Sequence, residues 1–242
     1  MVTDLYRQLY GILNAEHSSI KMPADGVSVL YPMAGARFEG QSIKLMLIGR
    51  AANGWDEGYN GKISEEAFVR RAVDALNSRE GFSWIHGNSE KNQKGYNIRR
   101  SAFWRTARGV FARLNALTEA QLPCDWYEGV VWHNLYCVVP QTSGNPSAAL
   151  AHAQLELCRQ LLIKQIAFYQ PTHLLFVTGW DGWFSKFADC FPDVGRAGAD
   201  GFVAGSGTDG HRLAVVTARP ECKPERDYVE TVSGAFFELA RK

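Results

Sequence analysis

Four short apolar runs constrain this chain more than any other feature. They are Ile43 to Gly49, Val130 to Val138, His173 to Gly179 and Leu213 to Thr217. Runs this short, bounded by turn residues, read as strands buried on both faces, and the segments between them carry helical periodicity. Alternating strands and helices imply a parallel sheet covered on both sides. The clearest helix follows Asn145-Pro146, with Ala151, Leu155, Cys158, Leu162, Ile166 and Tyr169 at steps of three and four and Pro171 to stop it. A last helix opens at Pro224 and sets Val229, Val232, Phe236 and Ala240 on one stripe. The expected fold is α/β: a three-layer α/β/α sandwich around a central, mainly parallel, four-stranded sheet. One domain over residues 1–242 is expected, with residues 1–40 as a helical extension. The stretch Gly195 to Gly210 holds six glycines and reads as a flexible loop with a hairpin. It lacks the G-x-x-x-x-G-K-[ST] spacing of a phosphate cradle.

A chain of 242 residues buries roughly three quarters of its unfolded surface, so its core needs neither metal nor disulfides. The five cysteines, Cys124, Cys137, Cys158, Cys190 and Cys222, form no C-x-x-C pair. A reduced, cytoplasmic protein is expected, with no cofactor. The six histidines show no ligand spacing, so no metal is expected. No apolar run approaches the roughly 18 residues of a membrane span, so no membrane partner is expected. A monomer is expected.

In an open α/β sheet, ligands bind beyond the carboxyl ends of the strands. The segments to weigh are therefore Arg50 to Asp56, Asn134 to Pro140, Trp180 to Trp183 and Ala218 to Glu221. Their order resembles the uracil-DNA glycosylase superfamily. The resemblance is carried by Leu47-Ile48-Gly49, by Trp132-His133-Asn134-Leu135-Tyr136-Cys137, by Leu161 to Gly179, and by Thr217-Ala218-Arg219-Pro220. Ser101-Ala102-Phe103-Trp104-Arg105 is similar to a segment of the mismatch-specific branch, and the whole likeness spans Ile43 to Lys242. Two departures stand out. Ala51 occupies the place of the family's water-activating Asp or Asn, and Arg219 that of its closing His. Cys137 and Cys158 lie near two ligand positions of the iron–sulfur branch, but two thiolates cannot complete such a cluster.

The resemblance implies hydrolysis of the N-glycosidic bond of a damaged or deaminated base in DNA. A base taken out of the stack needs an amide to read its edge, an aromatic face and a charge to stabilise the leaving anion. The amide would be Asn134, since Asn both donates and accepts; the competing reading is a turn cap. The charge would be Arg219, unless Glu221 simply holds it at the surface. Water activation would fall to Asp56 or Glu57, with Asn53 orienting the water and Trp55 or Tyr59 stacking on the base. Against this stands an ordinary polar loop in which Asp56 caps the next segment.

The formal net charge of +1 excludes a chain that is basic throughout. Yet residues 91–113 hold seven cations, Lys91, Lys94, Arg99, Arg100, Arg105, Arg108 and Arg113, and no acidic residue, leaving 19 basic against 25 acidic residues elsewhere. Periodicity predicts a helix from a Ser101 cap to Leu114, with Phe103, Ala107, Val110, Phe111 and Leu114 inward and Arg105, Arg108 and Arg113 outward. Arg99, Arg100, Arg105 and Arg108 are the candidate DNA phosphate contacts, against a merely solvated charge run. Two alternatives remain open. One is a silent nucleic-acid- or base-binding protein of the same fold. The other is an α/β enzyme acting on a small nucleotide-like metabolite.

Overall fold

The computed structural model of the protein describes residues 2–14, 26–51, 58–59, 63–78, 81–86, 97–141, 144–198 and 201–241. The helices are α1 (Val2–Asn14), α2 (Glu65–Asn77), α3 (Ser83–His86), α4 (Ala102–Leu114), α5 (Ala148–Tyr169) and α6 (Glu225–Leu239). The strands are β1 (Val27–Val29), β2 (Met33–Ala34), β3 (Leu45–Gly49), β4 (Gly58–Tyr59), β5 (Val130–Asn134), β6 (Val138–Pro140), β7 (His173–Phe176), β8 (Val194–Arg196), β9 (Val203–Asp209) and β10 (Arg212–Thr217). No described helix is long and apolar enough to cross a membrane.

The fold is mixed α/β. A small antiparallel sheet has β1 between β4 and β6. A larger, mixed sheet runs β2-β5-β3-β7-β10-β9-β8. There β7 lies parallel to both β3 and β10, with Leu45 and Leu213 opposite His173. The β2–β5, β10–β9 and β9–β8 pairs are antiparallel. The four apolar runs are neighbours in this sheet as β5, β3, β7 and β10, but the sheet has seven strands, not four. Two of the extra strands draw on the glycine-rich stretch, where β9 turns onto β10 through Gly210. A strand reading Val-Ala-Gly-Ser-Gly-Thr-Asp shows little apolar alternation, so only pairing reveals it.

A second correction concerns Val130 to Val138, which is two strands in two sheets. At the break, Leu135 N donates to Gly49 O (2.8 Å) and Tyr136 N to Arg50 O (3.0 Å), while Leu30 N donates to Cys137 O (2.8 Å). Every residue from Val130 to Val139 is buried. An unbroken apolar run therefore hides the change of partner.

The chain divides into two compact units. The first comprises Met1–Pro32, Gly49–Ser78 and His133–Tyr169. Here α1 packs on α2 and α5, and the rings of Tyr6, Tyr31 and Phe68 meet at 5.5, 6.1 and 6.4 Å. Ser147 Oγ accepts from Leu150 N (3.2 Å) at the start of α5. Gln170 (φ +48°) and Pro171 end that helix. The polar Gln154 and Gln165 lie fully buried on α5 beside Ala151, Cys158, Leu162, Ile166 and Tyr169. Leu155, expected on the buried stripe, is only partly buried.

The second unit comprises Met33–Ile48, Arg79–Trp132 and Gln170–Lys242. Here α4 packs on α6, and α6 on β9 and β10. Ser101 caps α4 as expected, its Oγ accepting from Trp104 N (3.5 Å). Trp104 anchors the core under α4, with ring centroids 5.3 Å from Trp132, 5.9 Å from Phe82 and 6.1 Å from Trp126. Edge-to-face aromatic pairs of this kind add about 0.5–1.5 kcal/mol each beyond the area they bury.

Candidate functional site

Asn134 closes β5 and is 1 % exposed. Immediately after it, the bonds from Leu135 to Gly49 and from Tyr136 to Arg50 lay this segment against the chain leaving β3. The start of the first candidate loop, Arg50-Ala51, is thus beside the strand end that carries Asn134, within one unit. Asn53, Trp55, Asp56 and Glu57 lie outside the described residues, as do Lys91 and Lys94, and the side chain of Tyr59 is likewise undescribed.

The chain past Asn134 is held by buried polar groups. Gln154 Oε1 accepts from Val138 N and its Nε2 donates to Val138 O, both at 2.8 Å, so one side chain satisfies both polar groups of the first β6 residue. The Cys158 thiol donates to the same Oε1 (3.4 Å), and the Cys137 sulfur lies 4.0 Å from His133 Nε2. The neighbouring Cys158 and then burial hold the Cys137 thiol well above its ordinary pKa, so it stays protonated. Such thiols behave as small apolar groups, not nucleophiles. Burial lowers His133 to about 3, keeping the ring neutral. Gln154 escaped the sequence reading. Its signal was a polar residue three after Ala151 and four before Cys158, in step with an apolar stripe.

Arg219 belongs to the other unit, just past β10. The backbone there is tethered: Ala218 N donates to Phe202 O (2.9 Å), and the Tyr228 hydroxyl donates to Ala218 O. Burial pushes the Tyr228 phenol upward, so it keeps its proton. The Arg219 side chain, 53 % exposed, forms a fork with Glu221, Nε to Oε2 at 3.0 Å and Nη2 to Oε1 at 2.6 Å. Past β7, Gly179 (φ +75°) turns the chain, a conformation open to glycine. Trp180 then packs over Gly205 and against Phe184, ring centroids 5.0 Å apart. That tryptophan is committed to packing.

The basic segment is less uncompensated than its sequence implies. Arg105 Nε donates to Glu225 Oε2 (2.7 Å), and Arg108 Nη2 pairs with Glu119 Oε1. Arg108 first, with help from Arg99, holds the Glu119 carboxyl below its usual range. Arg99 and Arg100 sit on an exposed turn before α4 and pair with no carboxylate among the described residues. Both partner carboxylates come from outside residues 91–113, so the local sequence could not show them.

Among the described residues, no three His, Cys, Asp or Glu side chains converge as metal ligands. All five cysteines are free thiols. No known protein-family model matches the chain, and no curated protein sequence matches it either.

Proposed function

We propose that this chain is a uracil-DNA glycosylase-like protein that hydrolyses the N-glycosidic bond of a damaged or deaminated base in DNA. The observation that carries this reading is the buried Asn134 at the end of β5, with the chain leaving β3 hydrogen-bonded to the residues that follow it. Strand-end loops of an open α/β sheet are where such folds bind their ligands. The adjacency of the four apolar runs in one sheet, with β3, β7 and β10 parallel, supports the glycosylase-like architecture. In this mechanism Asn134 reads the base edge through its amide, which donates and accepts at once. Arg219 stabilises the departing base anion as a permanent cation. Water is oriented or activated from Asn53 and Asp56, with Trp55 as the stacking face.

Arg219 acts in this scheme by exchanging the Glu221 carboxylate for the leaving anion. An exposed ion pair is worth only about 0–1 kcal/mol, so the exchange is inexpensive. The test is a panel of oligonucleotides carrying uracil, hypoxanthine, xanthine or alkylated bases, assayed for abasic sites. Release of one base is expected, and Asn134→Ala and Arg219→Ala should each cut it more than about tenfold, or roughly 1.4 kcal/mol of transition-state stabilisation. Full activity in both variants sinks the assignment of the site. A second reading, a base- or nucleic-acid-binding protein without catalysis, is favoured by Ala51, which has no group to activate water. Tight binding to a modified oligonucleotide without base release would select it.

A further inference from the structure

We infer that Arg99 and Arg100 form a braced cationic pair that grips DNA phosphates, and that Arg105 is the positioning residue that presents them. The inference rests on the DNA-binding part of the proposed function. Four arginines crowd the turn before α4 and the first turns of that helix, but their charges are not equivalent. Arg108 is paired with Glu119 and Arg105 with Glu225. Arg99 and Arg100 pair with no carboxylate among the described residues, and both stand on the exposed turn of residues 98–100.

Arg105 does more than form its ion pair. Its Nη1 donates to Arg99 O (3.3 Å) and Arg100 O (3.2 Å), while Nε holds Glu225 Oε2 at 2.7 Å. One planar guanidinium thus ties both carbonyls of the arginine pair to α6. Asn97 fixes the other side of the turn, its side chain accepting from Arg99 N (3.1 Å) and its carbonyl from Arg100 N (3.1 Å). The guanidinium serves the three acceptors from two separate nitrogens in one plane, a span that the single ammonium nitrogen of a lysine lacks. Phosphates contribute affinity through counterion release. A backbone held in this way presents two adjacent cations with little ordering left to be done on binding.

The test is fluorescence anisotropy with an undamaged DNA duplex over a salt series, which is independent of base release. Arg99→Gln/Arg100→Gln should lower the magnitude of the log K against log salt slope by about 1.8, at about 0.9 for each phosphate no longer neutralised. Arg105→Gln should weaken binding about fivefold in the parent but less than about twofold in the Arg99→Gln/Arg100→Gln background, the signature of coupled residues. Equal weakening in both backgrounds would mean that Arg105 touches phosphate itself and would overturn the inference. Glu225→Gln keeps the test open should Arg105→Gln not fold. Removing the anchor should weaken binding, whereas a charge effect alone would tighten it, and tightening overturns the bracing role. Salt-dependent binding that survives Arg99→Gln/Arg100→Gln unchanged overturns the placement and leaves the glycosylase reading standing. Parent protein that shows no salt-dependent binding defeats the DNA reading as well.

Discussion

The chain just past β5 and the chain just past β10 carry the two residues that the proposed chemistry needs most, and their physics is opposite. Past β5 the polar groups are inside. Asn134 is 1 % exposed, His133, Cys137 and Val138 are fully buried, and Gln154 closes the hydrogen-bonding of Val138. Past β10 the backbone is tied at Ala218, while the Arg219 side chain stands in solvent paired with Glu221. The difference teaches where each function can reside. A buried amide is held by the packing around it, and in the proposed chemistry its donor and acceptor read a base edge. An exposed ion pair is screened and weak, so its cation can change partner during a reaction.

The contrast can be broken most forcefully at Gln154. Gln154→Ala removes the partners of a buried N–H and a buried C=O, and should cost about 3 kcal/mol in urea unfolding. A change below about 1 kcal/mol would mean that the β5–β6 break does not depend on this side chain. His133 sharpens the same comparison through pH. Its folded pKa is about 3 against an ordinary 6.5, so the unfolded chain takes up a proton that the folded one refuses. Its contribution is complete above about pH 6.5 and is lost as the pH falls towards 3, at up to about 1.4 kcal/mol per unit. Measured from pH 7 to 4.5, His133→Asn should therefore show a shallower fall in stability than the parent, by about 2–3 kcal/mol across that window. Identical slopes would place the buried proton uptake elsewhere.

The exposed end should show the reverse profile. Arg219→Ala is expected to leave stability within about 0.5–1 kcal/mol, as for other surface ion pairs, while abolishing most base release. A large drop in stability would make Arg219 a structural residue and remove it from the mechanism. The smallest effect is expected at Arg108. Arg108→Ala deletes a pair in which Glu119 is 76 % exposed, and thermal unfolding should shift by no more than a fraction of a kcal/mol equivalent.

Local signals in the sequence carried a good part of this description. Although Phe103, expected inward, is only partly buried while Trp104 and Thr106 are buried, the Ser101 cap and most of the inward face of α4 were legible, because caps and three-and-four periodicity act over a single turn or two. So was α5, ended by Gln170 and Pro171, and so were the apolar runs that became β3, β7 and β10. Asn134 was singled out by the resemblance of Trp132 to Cys137 to a family motif, while the apolar run itself read as continuous from Val130 to Val138. The aspects that escaped share one cause. The split of Val130 to Val138 between two sheets depends on which distant backbone arrives, Gly49 and Arg50 for one part and β1 for the other. The glycine-rich β9 owes its order to β10, and its side chains announce nothing.

The basic segment draws the line most clearly. From the sequence alone, residues 91–113 are seven cations without an anion. Tertiary structure brings Glu119 from 11 residues away to Arg108, and Glu225 from 120 residues away to Arg105. The sequence by itself determined the α/β class, the capped amphipathic helices and the polar residues at the strand ends, since each follows from neighbours along the chain. Only the tertiary structure decided which of those residues are buried, which charges are cancelled and which remain available. Desolvation and ion pairing act through space, between groups that the order of the chain does not bring together.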